Sequence, residues 1–166
     1  MTYAIKLAAP LLLATLTSAQ VAQAGSATGT MNVSGNVQGS CTVSAVALNF
    51  GSITPGSATD AEGSIGAACT TGTTYTITID GGSSLVDTNR RLAEAESENY
   101  LEYIIAFDES RALASYIPAN GALVSNAIAE SSETVNYSVY GRVLADENSA
   151  GVVGTYFDTL GITVTY

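Results

Sequence analysis

The sequence predicts an all-β protein, an antiparallel sandwich of the immunoglobulin-like kind. Three observations point there. Apolar residues recur with period two in six separate stretches of the body, and no stretch carries the i, i+3, i+4 apolar stripe of an amphipathic helix. Gly, Pro, Asn and Asp interrupt the chain at the spacing of short connections. Composition agrees: Thr, Ser, Gly, Ala and Val abound, and only 12% of the residues are charged. That is the balance of a β-rich extracellular protein with small side chains in its core, not of a disordered acidic chain. A chain of 166 residues makes one domain.

The first residues read as a leader. A weakly positive start with Lys6, an apolar run from Leu7 to Leu16 and a small-residue site, Val21-Ala22-Gln23-Ala24, form the pattern of a secretory signal peptide over residues 1–24, cleaved after Ala24. The apolar run is about half the roughly twenty residues that a membrane span needs. Export places Cys41 and Cys69 in an oxidising compartment, where an even pair is expected to form a disulfide. Closing a loop across 28 residues contributes about 3 to 4 kcal/mol in the chain-entropy account. Cleavage also removes the only lysine, Lys6. Four arginines then face fifteen acidic residues, a net charge of −11. Such a surface repels phosphate backbones and argues against nucleic acid or anionic lipid as a partner.

The elements follow in order. "ATGTMNVSGNV" alternates without a break: Ala27, Gly29, Met31, Val33, Gly35 and Val37 on one side, Thr28, Thr30, Asn32, Ser34 and Asn36 on the other. A strand written this way needs an apolar groove to lie in. The link Gln38-Gly39-Ser40 is short enough for a hairpin with the next strand, so the period alone leaves open whose groove that is. Val46, Leu48 and Phe50 alternate next, and "GSITPG" stops the run. Ile65, Ala67 and Cys69 form the following strand. "TTYTITID" sets Tyr75, Ile77 and Ile79 against Thr74, Thr76, Thr78 and Asp80, and Gly81-Gly82 closes it. "RRLAEAESEN", without an apolar stripe, reads as a polar loop. Leu101, Tyr103, Ile105 and Phe107 make another strand. "ALASYIPANGAL" contains Pro118, Asn120 and Gly121 and reads as a turn. Val135, Tyr137, Val139, Gly141 and Val143 precede the last strand, Leu160, Ile162, Val164 and Tyr166.

Six body strands fall one short of the seven or so that an immunoglobulin-like sandwich uses. A body of six that ends on an amphipathic strand leaves an edge unpaired and part of its core open, a template for strand addition. Leu160, Ile162, Val164 and Tyr166 are the edge that would line such a groove.

Chemistry-bearing constellations are scarce. The absence of histidine excludes Ser-His-Asp and Cys-His arrangements and His-based metal sites, and an exported chain without lysine excludes Ser-Lys and Schiff-base chemistry. Scattered carboxylates without tryptophan make a poor glycosidase. "DENSAG" (Asp146 to Gly151) starts like a calcium loop but has Ala150 at position 5 and Phe157 at position 12, where the bidentate carboxylate belongs, and a hairpin turn is expected instead. No catalytic residue, cofactor, metal or small-molecule substrate is expected.

Several pieces, taken together, carry a family resemblance: "CTV" followed by "LNFG", Gly72-Thr73 and Tyr75 after the second cysteine, Tyr140-Gly141-Arg142, and Tyr156, Asp158 and Thr159 near the end. In this order and spacing the chain resembles the spore coat U domain family, which contains the major subunits of archaic, Csu-type chaperone-usher pili. The resemblance implies an incomplete immunoglobulin-like sandwich of about six strands, completed by a donor strand from a neighbouring subunit. It implies a donor-strand extension and link at residues 25–40, with Ala27, Gly29, Met31, Val33, Gly35 and Val37 entering the neighbour, and a pilin domain at residues 41–166. The disulfide would tie the first body strand to the second. The partners implied are identical or related subunits in a head-to-tail polymer, a periplasmic chaperone and an outer-membrane usher. The product is a surface pilus supporting adhesion and biofilm formation, with Tyr140 a candidate contact between subunits. A coat protein of a resting cell, or a secreted binding module whose front strand closes its own sandwich, are the alternatives.

Overall fold

A computed structural model describes residues 23–166. The expected leader lies outside the described residues except for Gln23 and Ala24. Residues 23–35 fall in a unit separate from the body, which begins at Asn36, and carry no secondary structure; Met31 and Val33 there are 86% and 87% exposed.

Among the described residues the body has nine strands: β1 (Cys41–Val46), β2 (Thr59–Cys69), β3 (Thr74–Ile79), β4 (Arg90–Glu94), β5 (Tyr100–Ala106), β6 (Gly121–Ile128), β7 (Val135–Val143), β8 (Tyr156–Phe157) and β9 (Ile162–Thr165). A single 3-10 turn covers Leu113–Ser115. Six strands form one sheet in the order β1-β2-β7-β5-β4-β8, and three form the other, β6-β3-β9, with antiparallel pairing throughout. The expected class, an all-β immunoglobulin-like sandwich, is the one observed, with two sheets of unequal size.

Period two places the core. Ile65, Ala67 and Cys69 of β2, Tyr75, Ile77 and Ile79 of β3, Leu101, Tyr103 and Ile105 of β5, and Val139 and Val143 of β7 are all buried between the sheets. The Thr74-Thr76-Thr78 set of β3 points the other way, as β-branched polar residues do on a half-covered sheet. Gly141 interrupts the apolar face of β7 for a packing reason: a Cβ there would overlap Leu48 and come within 2.9 Å of the Phe50 ring.

Three strands were not anticipated. "RRLAE", expected as polar loop, is β4; its inward residues are Leu92 and Arg90, and an arginine on a core face hides the apolar alternation. β6 lacks a clean period because its pairing with β3 shifts register between Tyr75 and Ile77 and again between Ile77 and Thr78, with Asn126 at a φ of 51°. β8 is too short to carry a pattern. Conversely, Val46, Leu48 and Phe50 do not form the alternating face of a strand. β1 ends at Val46, and Leu48 and Phe50 pack against the core from an irregular segment, with the Phe50 and Tyr103 rings edge to face at 6.0 Å.

Candidate functional site

The two sheets are unequal, and their mismatch makes a groove. Residues paired across an antiparallel ladder point to the same face. In β1, Ala45 lies opposite Ile65 and Val43 opposite Ala67, so both face inward. Yet Ala67 is 2% exposed while Val43 is 45% exposed, and Ala45 is exposed as well. Among the described residues, no strand covers the inner face of β1, because the facing sheet stops at β9. On β9, Ile162 lies opposite the buried Ile79 and Val164 opposite the buried Ile77. Both are themselves half-buried, and β9 has a partner on one side only. Between the two edges runs a cleft of about 290 Å³; Ala45, Val46 and Leu48 form one wall, and Leu160 and Ile162 the other. Its floor is apolar, built from Ile65, Ile79, Leu92 and Val139. The cleft presents two unpaired backbone edges over an apolar floor, which is the geometry that accepts an extended peptide by strand addition.

Two polar residues, Tyr103 and Asp158, line the cleft, and Arg90 lies near them without lining it. Arg90, 4% exposed, donates to backbone carbonyls only: Nε to Asp80 O at 2.9 Å, Nη1 to Ile117 O at 2.5 Å, and Nη2 to Asp80 O at 2.7 Å and Pro118 O at 3.0 Å. Burial lowers its pKa from the ordinary value, but a guanidinium keeps its charge at any physiological pH. Tyr103 donates its hydroxyl to Asp158 Oδ2 at 2.6 Å; burial, then that hydrogen bond, pushes the phenol well above its usual range and keeps it a donor. Tyr103 and Asp158 both line the cleft.

Other conspicuous polar residues have structural duties. Tyr75 and Tyr137, on facing sheets, share a hydrogen bond between hydroxyls at 2.6 Å. Arg142 grips Asp60 with two bonds, 2.6 and 2.8 Å, and this contact, ahead of the charge of Arg111, holds the Asp60 carboxyl below its usual range. Tyr140 is half-buried, with the Arg111 guanidinium 5.4 Å from its ring centre. In "DENSAG", the buried Asn148 accepts from Glu102 N–H at 2.8 Å and donates to Glu102 O at 2.9 Å, so the side chain pins the loop to β5. Among the described residues, no group of three or more His, Cys, Asp or Glu could hold a metal ion.

The residues singled out in the sequence divide as follows. Leu160 and Ile162 line the cleft, Val164 continues its edge, and Tyr166 lies beyond the end of β9, 61% exposed. Cys41 and Cys69 are joined by a disulfide across the first rung of β1 and β2. Ala27 to Val37 form no strand, and all of them are exposed. Sequence reasoning missed Ala45 of the cleft wall and the inward but uncovered Val43 beside it. The signal was there: Cys41 pairs with a cysteine already assigned to the buried face of its strand, and parity from Cys41 carries Val43 and Ala45 inward with it. It also missed Tyr103 as a polar residue of the cleft lining.

Residues 27–163 match the Spore Coat Protein U domain. The chain is 30% identical over 170 residues to Protein U of Myxococcus xanthus, a match that covers 92% of each. In fold it resembles a chain in the crystal structure of the CsuC-CsuE chaperone-tip adhesion subunit pre-assembly complex from the archaic chaperone-usher Csu pili of Acinetobacter baumannii. The TM-score is 0.56 at 20% identity over 78% of this chain, which spans 40% of the length of that one.

Proposed function

Because the chain belongs to the Spore Coat Protein U domain family, and because its two unequal sheets leave an apolar groove between β1 and β9, we propose that it is a structural subunit of a surface pilus, polymerising by donor-strand exchange. The observation that carries this is the uncovered inner face of β1 beside the unpaired edge of β9. In the proposed fibre, residues 27–37 of one copy lie in the cleft of the next. Met31, Val33 and Val37 enter the apolar floor, and the backbone pairs with the free edges. Such a contact satisfies a row of backbone hydrogen bonds and buries alternate side chains at once. It is heterologous and does not close on itself, so it makes a fibre rather than a ring.

A signal peptide over residues 1–24 would deliver the chain to the periplasm. There a chaperone would fill the cleft until an outer-membrane usher exchanges it for the neighbour's segment, and the finished fibre would stand on the cell surface and support adhesion and biofilm formation. The proposal gives the chain no catalytic step. What supports the chaperone step is the fold likeness to a chain from a chaperone-subunit complex. A second reading, a coat protein of a resting cell using the same strand exchange, draws on the 30% identity to Protein U.

The test is an unboiled denaturing gel of the chain exported with its chaperone and usher, intact and with residues 27–37 deleted. A ladder that the deletion abolishes is expected. A folded monomer band from the intact chain would overturn the pilus reading in favour of a self-closed module. Electron microscopy of the cell surface separates filaments from a coat layer.

A further inference from the structure

Resting on the reading that β9 is the edge along which a neighbour's segment pairs, we propose that Asp158 is the positioning residue of that edge. It clamps the start of β9 so that Leu160, Ile162 and Val164 meet the incoming strand in one register. β9 is four residues long and pairs with β3 alone. A strand so short is held by few ladder bonds, and a slip of one residue would turn its apolar set away from the cleft.

Asp158 opposes such a slip from three directions. Its Oδ1 accepts the N–H of Ser83 at 2.7 Å and that of Thr159 at 2.8 Å, and its Oδ2 accepts the Tyr103 hydroxyl at 2.6 Å. Ser83 lies in the loop after β3, and Tyr103 lies on β5 in the opposite sheet. One carboxylate therefore joins the start of β9 to both sheets at the rim of the cleft. Asp80, at the end of β3, grips the same turn from the other side: its Oδ1 accepts the N–H of Gly161 at 2.8 Å, and its own N–H donates to Gly161 O at 2.9 Å.

Glycines make room for both carboxylates. A Cβ on Gly82, whose φ is +80°, would collide with the carboxylate of Asp158, and a Cβ on Gly161 with that of Asp80. Behind them Arg90 holds the Asp80 carbonyl with two donors, which fastens the clasp to β4. Hydrogen bonds to a carboxylate are short and strong compared with neutral ones. The link from Asp158 to Tyr103 across the sandwich is more than a turn between β8 and β9 would need for itself; it ties the start of β9 to the sheet that faces it.

The test uses the exported chain at high dilution, as wild type, Asp158→Asn and Tyr103→Phe, with a labelled synthetic peptide spanning residues 25–40 as the probe. Tyr103→Phe keeps the ring in the core and deletes one hydrogen bond, which guards against loss of folding in Asp158→Asn. In both variants, amide exchange over residues 160–165 is expected to rise and peptide capture to slow, each by about tenfold, the equivalent of one hydrogen bond to a charged group. Amides of β2 and β7 stay as in wild type. Tyr137→Phe serves as a control that removes the Tyr75–Tyr137 bond away from the clasp, and it leaves the capture rate within about twofold, as a distant and independent site should. Wild-type capture by both variants, or equal slowing in Tyr137→Phe, overturns the clamp and leaves the pairing reading standing. A wild-type chain that does not capture the peptide overturns the pairing reading and the clamp with it.

Discussion

Around Arg90, the three guanidinium nitrogens make five hydrogen bonds to the carbonyl oxygens of Ile79, Asp80, Ile117 and Pro118. The side chain thereby ends β3, holds the loop before β6 and stays charged inside the sandwich without a carboxylate in direct contact. Arg90→Met is expected to cost about 3 kcal/mol in urea unfolding, because it leaves those buried acceptors without donors. Arg90→Lys keeps the charge but not the planar fork, and should recover only part of that loss. Tyr137 provides a second residue-scale prediction. Burial, then its bond to Tyr75, pushes the phenol up to about 12. The native state therefore holds a proton that the unfolded chain releases near pH 10. Stability from this group is complete below pH 10 and falls as pH rises from 10 to about 12, and melting temperatures of Tyr137→Phe should fall less across that window. Asp60 behaves oppositely: its carboxyl is held low by Arg142, so the stability it adds is present above its usual range and lost as pH drops below it.

At the scale of elements, β1 and β7 meet through the residues between β1 and β2. Leu48 and Phe50 rest on the bare backbone of Gly141, and Gly141→Ala would push them off it. The expected cost is about 1 to 3 kcal/mol, the usual price of overpacking, readable by thermal unfolding. β4 and β1 explain why some elements were legible and others not. β3 announced itself because each inward residue is apolar and each outward one is threonine. β4 did not, since the residue that shares its inner face with Leu92 is an arginine satisfied only by carbonyls from distant loops. Of the apolar residues chosen by pattern, Val46 has the opposite parity to the inward Val43 and Ala45 of β1, and Leu48 and Phe50 lie past its end; the rung from Cys41 to Cys69 decides the face.

For the whole molecule, six strands face three, and the shortfall is concentrated at one edge. The segment Ala27 to Val37 has the pattern of a strand and is assigned to none among the described residues. In the proposed fibre it has no part in the fold of its own subunit and a large one in the stability of the next. Val33→Asp should therefore leave the melting temperature of the isolated chain unchanged, since exposed positions of this kind move stability by about 0.5 kcal/mol or less. In the gel assay the same substitution should abolish the ladder, since it would place an unpaired carboxylate on an apolar floor. A ladder of unchanged intensity would mean that this residue does not enter the groove.

Period two, turn residues and the resemblance carried by the Gly-Thr-x-Tyr, Tyr-Gly-Arg and Tyr-x-Asp-Thr motifs were enough to determine the class of fold, the family and the faces of β2, β3, β5 and β7. These features are local or nearly so: alternation is written within a single strand, and a turn within a few residues. The tertiary structure alone decided where the sandwich is open, that Ala45 stands in the second wall of the cleft with Val43 inward and uncovered beside it, and that Tyr103 and Asp158 meet in its lining. Each of those depends on which strands become neighbours, and no residue carries that in its own side chain: an inward valine is core when a strand faces it and groove when none does.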